Sequence, residues 1–156
     1  MSATAVRATA SLLLLIGAFL AGCATEKSVH IPPETRHRIV LEALGQVGRP
    51  YRYGGATPEG FDCSGLVQYV YAQAGIVLPR TTREQYAMGK RIDDDELEPG
   101  DLLFYRFESG PVDHVAIYLG DGQAVHAPAQ GRAVIVASID LPYWKKRFVD
   151  AVRVLR

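Results

Sequence analysis

From Thr35 to Val47 apolar residues recur at Ile39, Val40, Ala43, Leu44 and Val47, the spacing of one helix face, and Gly48 with Pro50 stops the run. A Gly-rich stretch, Tyr51 to Phe61, reads as a loop. Asp62 then suits the N-cap of a second helix, Cys63 to Ala74, whose buried stripe would be Leu66, Val67, Val70, Tyr71 and Ala74, with Gly75 ending it. Thr82-Arg83-Glu84-Gln85 has the form of a capping box and opens a short third helix. After Pro99-Gly100-Asp101 the pattern changes. Leu102–Arg106, His114–Leu119, Gln123–Ala127, Ala133–Ile139 and Phe148–Leu155 read as strands, rich in β-branched and aromatic residues and mostly separated by Gly turns. Helices first and strands second predict an α+β fold, an antiparallel β-sheet with the N-terminal helices packed on one side.

The chain has 156 residues, enough for one domain, with 48% hydrophobic and 22% charged residues, which excludes a disordered, collagenous or coiled-coil chain. Lys+Arg and Asp+Glu are both 17, so no global basic field exists to hold nucleic acid, and none is expected as a partner. Two cysteines cannot make a disulfide scaffold.

Residues 1–22 form an apolar segment of their own. Its core, Ser11 to Leu20, is too short for the roughly 20 residues of a membrane-spanning helix and suits an export signal. Leu20-Ala21-Gly22-Cys23 resembles the lipobox of bacterial lipoproteins, where the Cys becomes a lipidated N-terminus. That resemblance implies a signal peptide over 1–22, lipid attachment at Cys23, a tether over 23–33 and a folded domain over 34–156. Several acyl chains hold a domain at a membrane where one does so only reversibly. With Ala24 after the Cys, the expected location is the outer membrane, facing the periplasm. An ordinary cleaved signal or a single membrane anchor are the other readings of this segment.

Cys63 is then the one thiol left free, at the first turn of a helix where unpaired N–H groups and the helix dipole favour a thiolate. The alternative is a small buried apolar side chain. Of four histidines, His30 falls in the tether and His37 on the exposed side of the first helix, while His114 and His126 flank Gly120-Asp121-Gly122. A three-residue Gly-Asp-Gly loop pairs 119 with 123 and puts both imidazoles on one sheet face, roughly 7–8 Å apart at Cβ. A two-residue Asp121-Gly122 turn would put them on opposite faces. A thiol, a histidine base and a second polar group orienting that base are the parts of thiol acyl transfer. His114 would take the Cys63 proton, His126 would fix its ring, and the Cys63 N–H could supply an oxyanion donor. A zinc site is the rival use of these residues, but a structural site wants four close ligands, so no metal and no cofactor is expected.

Six segments in order, Pro50-Tyr51-Arg52-Tyr53-Gly54-Gly55, Phe61-Asp62-Cys63-Ser64-Gly65-Leu66-Val67, Leu78-Pro79-Arg80-Thr81-Thr82, Pro99-Gly100-Asp101-Leu102, His114-Val115-Ala116-Ile117-Tyr118-Leu119-Gly120 and Val125-His126-Ala127, resemble the NlpC/P60 family of papain-like cell-wall peptidases. The tail Pro142-Tyr143-Trp144-Lys145-Lys146-Arg147-Phe148, the length and the lipobox are most similar to the Spr/MepS-type murein endopeptidase lipoproteins of that family. The resemblance implies a papain-like NlpC/P60 fold with Cys63 as nucleophile, His114 as base and His126 as the third polar residue. It implies Tyr51 beside the nucleophile, where it could aid the oxyanion, and Asp62, Ser64 and Arg80 along the peptide groove. Tyr53 departs from the Trp of many members. Asp62 as a plain N-cap, Arg80 as a surface ion pair and Tyr51 as core packing are the bland readings. Asp93-Asp94-Asp95-Glu96 reads as a solvated loop.

No SH3-like or LysM segment is read ahead of this core, so substrate is expected to be engaged by the catalytic domain or through the tether. The function implied is a cysteine-type peptidoglycan endopeptidase, a thiol protease hydrolase acting through a Cys63 thioacyl intermediate. Its partners are peptidoglycan stem peptides and, through the anchor, a membrane; a monomer is expected. The preferred bond is the meso-diaminopimelate–D-Ala cross-link. A γ-D-Glu–diaminopimelate endopeptidase, a catalytically silent wall-binding protein and a thiol acyltransferase are the alternatives.

Overall fold

The computed structural model describes residues 32–154, so the apolar N-terminal segment, Cys23, His30 and most of the tether lie outside the described residues. Helix α1 spans Pro33–Gly45, and helix α2, Cys63–Gln73, lies against it. Between them the loop closes on itself as a small hairpin, β1 (Ala56–Thr57) and β2 (Gly60–Phe61), which the Gly-rich composition concealed. Helix α3 covers Thr82–Met88. The sheet is built from β3 (Lys90–Ile92), β4 (Leu102–Tyr105), β5 (His114–Gly120), β6 (Gln123–His126), β7 (Ile135–Ser138) and β8 (Phe148–Arg153), in the order β3-β8-β4-β5-β6-β7. Every neighbouring pair is antiparallel. The α+β expectation holds. One addition is the four-residue helix α4, Pro142–Lys145, whose Trp144 packs on the face of the sheet away from α1 and α2.

Each face of the sheet has its own core. Ile39 and Ala43 of α1 and Leu66, Val67, Val70 and Tyr71 of α2 pack with Leu102, Phe104, Val115, Ile117, Val125 and Val152. Each fully buried aliphatic side chain there contributes roughly 1.5–3 kcal/mol. On the other face Leu103, Tyr105, Ala116, Tyr118, Ala124 and Ala151 gather around Trp144. The α1 stripe is narrower than its spacing predicts. Leu44 and Val47 are more than 40% exposed, because α1 ends at Gly45 and the chain turns at Gly48 with φ 88°.

Two features lock the ends of this frame. Asp101 is buried, and its carboxylate accepts hydrogen bonds from Arg153 Nε and Nη2 at 3.0 and 2.8 Å, while Arg36 lies at 3.4 Å. It thereby ties α1 and β8 to the start of β4; a buried charge is tolerated only when paired in this way. Tyr71 donates its hydroxyl to the Gly100 carbonyl, pinning α2 to the same corner.

Candidate active site

Asp62 caps α2 as its spacing predicts. Its Oδ1 accepts from the Gly65 N–H at 2.7 Å, which sets Cys63 as the first helical residue. The helix start lies against the preceding loop with no space between backbones. A Cβ on Gly65 would sit 1.9 Å from the Gly55 carbonyl oxygen, and one on Gly55 would sit 2.2 Å from that of Gly60. Only glycine permits this approach. The Gly55 carbonyl also accepts from the Asp62 N–H at 3.0 Å, so the loop and the helix end form one unit.

Asp62, Ser64 and Arg80 are brought together, but they bind one another. Arg80 reaches Asp62 through both nitrogens, at 3.0 Å to Oδ1 and 2.7 Å to Oδ2, the bidentate geometry that suits guanidinium and carboxylate. Its Nη1 also donates to the Ser64 hydroxyl at 3.0 Å. The second oxygen of Asp62 accepts from the Gly54 N–H at 2.9 Å. Tyr51 lies on a segment whose neighbours bracket Phe61: Arg52 N–H donates to the Phe61 carbonyl, and Phe61 N–H donates to that of Pro50. Its ring is half-buried on the α2 side. Burial, followed by the nearby Cys63 and Asp62 charges, pushes its hydroxyl upward in pKa.

The two histidines meet, by a different turn from the one their spacing favoured. Asp121 and Gly122 form a two-residue turn with φ of 50° and 67°, flanked by the pair Gly120↔Gln123. That turn alone would separate the imidazoles onto opposite faces. A bulge between Tyr118 and Gly120, with Gly120 at φ 100°, restores the pairs Tyr118↔Ala124 and Ile117↔Val125, the register of the longer loop. His114 Nε2 and His126 Nδ1 are therefore 3.1 Å apart in nearly parallel rings. Trp144 stacks on the His126 ring with centroids 3.8 Å apart, and Tyr105 packs on both. In this dry aromatic setting desolvation pushes both imidazoles down, His114 to about 4 and His126 further, the neighbouring ring adding to the shift.

The Cys63 sulfur lies beside the main chain that carries His114. It is 4.0 Å from the Asp113 carbonyl oxygen and 3.6 Å from the Thr82 hydroxyl, with the Val115 N–H also directed at it. Its bonded neighbours are these groups and not the His114 ring. Contrary to the thiolate expected at a helix N-terminus, the thiol is pushed up. Burial is the first cause; Asp62 adds to it, and Thr82 with the N–H groups of Val115 and Ser64 only partly offset it. Desolvation outweighs the dipole here because the sulfur packs against the aliphatic core.

The capping box is also displaced by one residue from its expected place. Thr81 is the N-cap of α3: its Oγ1 and Glu84 share a 2.6 Å contact, and Glu84 accepts from the Thr81 N–H at 3.2 Å. Thr82 is thereby free of capping, and no local signal in the sequence points to its contact with Cys63. His37 is exposed on α1, as expected. Asp94–Glu96 form an exposed 3₁₀ turn where a solvated loop was expected. Among the described residues no three His, Cys, Asp or Glu side chains gather as a metal site.

The chain is similar to several known proteins. The chain is 40% identical over 148 residues to the gamma-DL-glutamyl hydrolase of Bacillus subtilis, covering 92% of this chain and 36% of that one. It is 44% identical over 123 residues to the murein DD-endopeptidase MepS/murein LD-carboxypeptidase of Escherichia coli K12, covering 78% and 64%. The chain thus spans between about a third and two thirds of the length of these curated relatives. A crystal structure of an NlpC/P60 family protein from Bacillus cereus superposes with a TM-score of 0.75 at 32% identity, over 82% of this chain and 42% of that one. The profile of the NlpC/P60 family matches residues 48–153, from the turn after α1 to the end of β8, which takes in Tyr51, Cys63, Arg80, His114 and His126, so the chain belongs to the NlpC/P60 family.

Proposed function

We propose that this chain is a cysteine-type peptidoglycan endopeptidase that hydrolyses stem-peptide amide bonds through a Cys63 thioacyl intermediate. The observation that carries the reading is the hydrogen-bonded imidazole pair, its ring nitrogens 3.1 Å apart, at the strand end against which the Cys63 sulfur lies. With Nε2 of His114 committed to His126, Nδ1 is left to take the thiol proton. That role requires the tautomer in which His114 Nε2–H donates to His126 Nδ1. Both groups rest neutral, so the proton moves as the sulfur attacks, and His114 then returns it to the leaving amine. His126 and Trp144 hold the ring in plane.

The preferred bond is the meso-diaminopimelate–D-Ala cross-link, supported by the relative named as a murein DD-endopeptidase. Cleavage between γ-D-Glu and diaminopimelate is the second reading, favoured by the relative named as a gamma-DL-glutamyl hydrolase. Tyr51, Asp62, Ser64 and Arg80 shape the groove beside the nucleophile. On the sequence alone, the proposal includes a signal peptide at 1–22, lipid attachment at Cys23, a tether to 33, a catalytic domain at 34–156, and a monomer held at the outer membrane facing the periplasm.

The test is purified protein, wild type and Cys63→Ser, on cross-linked muropeptides, with products separated by chromatography and identified by mass. Conversion of dimers to monomers by wild type alone is expected, and the product masses name the bond. Turnover by Cys63→Ser removes the nucleophile assignment. Intact dimers with both proteins overturn the endopeptidase reading in favour of a wall-binding protein.

A further inference from the structure

The Cys63 sulfur faces an unusual balance of groups. Asp62 stands beside it in the chain, the Asp113 carbonyl lies 4.0 Å away, and it packs on the aliphatic core. Each of these opposes a negative sulfur. Tyr51 from the preceding loop and Arg80 lie within electrostatic reach, but Arg80 is bound bidentately to Asp62. His114 on β5 is neutral in the resting protein. The Val115 and Ser64 N–H groups favour a negative sulfur in part, and one side-chain hydroxyl touches it, that of Thr82 at 3.6 Å.

We propose that the Thr82 hydroxyl is a hydrogen-bond donor to the Cys63 sulfur that stabilises it as it becomes a thiolate. The inference rests on the reading of Cys63 as the nucleophile and adds a residue to that site. In the step itself the S–H bond breaks, the proton passes to His114 Nδ1, and the electron pair stays on sulfur. A thiol can donate to the Asp113 carbonyl; a thiolate cannot, and that contact turns repulsive. Thr82 O–H then strengthens, since a hydrogen bond to an ionised acceptor is roughly twice as strong as one between neutral groups.

The fold holds this hydroxyl ready. Thr81 takes the cap of α3, so Thr82 Oγ1 is not consumed by the helix end. Gln85 is fully buried, and its Nε2 donates to the Ser64 and Pro79 carbonyls, each at 2.9 Å. The start of α3 is thereby fastened to the first turn of α2, which carries Cys63.

The test compares wild type with Thr82→Val and Thr82→Ser, each carrying Cys23→Ser so that Cys63 is the one thiol, by alkylation with iodoacetamide across pH, alongside thiolate absorbance. In Thr82→Val the thiol should titrate about one unit higher and alkylate about tenfold more slowly at pH 7. Thr82→Ser should restore the wild-type profile. Coincident profiles for wild type and Thr82→Val overturn the proposal, as does a Thr82→Ser profile that follows Thr82→Val, which would assign the effect to the methyl group. If Thr82→Val unfolds, Thr82→Ala takes its place with the same expected shift. Muropeptides left intact by wild type would sink the endopeptidase reading, while the thiol titration would still decide the role of Thr82.

Discussion

The two faces of the sheet solve different problems. Facing the helices, the core is a continuous set of aliphatic side chains with Phe61, Tyr71 and Phe104 among them, and helical periodicity in α2 alone is enough to find its centre. Facing α4, the core is built from Tyr105, Tyr118 and Trp144 with small alanines between, and it encloses His114 and His126. The first face holds the fold and presents Cys63 at its margin. The second desolvates two imidazoles, a cost in stability that the aromatic stack offsets by van der Waals contact and that keeps both rings neutral. Cys63 thereby lies with the aliphatic face of the sheet and the two imidazoles with the aromatic one.

The largest effect that tests this division is on the helical side. Leu102 is fully buried there, two residues from Phe104 on the same face of β4. Leu102→Ala should cost about 3 kcal/mol in urea unfolding, through lost transfer energy and the cavity left behind. Turnover of muropeptides per folded molecule should be unchanged. A collapse of turnover in molecules that remain folded would show that the two faces are not separable.

A smaller effect belongs to the aromatic side. Burial holds His114 and His126 below the ordinary 6.5, so between about pH 6.5 and 4 the unfolded chain binds protons that the folded chain does not. Stability must then fall as pH drops through that window and be indifferent to these groups above it. On the order of 2 kcal/mol per imidazole should be lost between pH 7 and pH 5, read from urea midpoints. His114→Gln combined with His126→Gln should flatten the curve. The same drop in the double variant would show that groups other than these imidazoles carry the acid sensitivity.

The contrast between the faces also explains what could be read from the sequence. Helix α2, its Asp62 cap and the pairing of Ile117 with Val125 follow from local signals: an apolar stripe, a capping residue and a Gly turn. The turn itself is not legible, because a two-residue turn with a bulge and a three-residue loop give the same register, and only the main chain distinguishes them. The β1–β2 hairpin is hidden because each of its strands is two residues long, too short for an alternation to register. Strand β3 is three residues long, and two of them are exposed cations. Trp144 on the imidazoles, Asp101 against Arg153 and Thr82 against Cys63 are long-range contacts that no local spacing encodes. The raised thiol pKa is hidden for a related reason: the helix dipole is legible at Cys63, whereas the burial that outweighs it comes from distant residues.

The smallest effect separates two adjacent hydroxyls. Thr81 and Thr82 are consecutive and chemically identical, yet one faces Glu84 and the α3 backbone and the other faces the Cys63 sulfur. Thr81→Ala removes the N-cap and one half of the capping box, for which about 1 kcal/mol is expected in thermal or urea unfolding. Gln85 still fastens α3 to α2, so the Thr82 hydroxyl keeps its place and the alkylation profile of Cys63 should overlay that of wild type. Thr82→Val should do the reverse, moving the thiol titration with little change in the unfolding midpoint. A Thr81→Ala protein whose thiol titrates as high as that of Thr82→Val would mean that the sulfur responds to the anchoring of α3 as a whole, and the hydroxyl at 82 would lose its separate role.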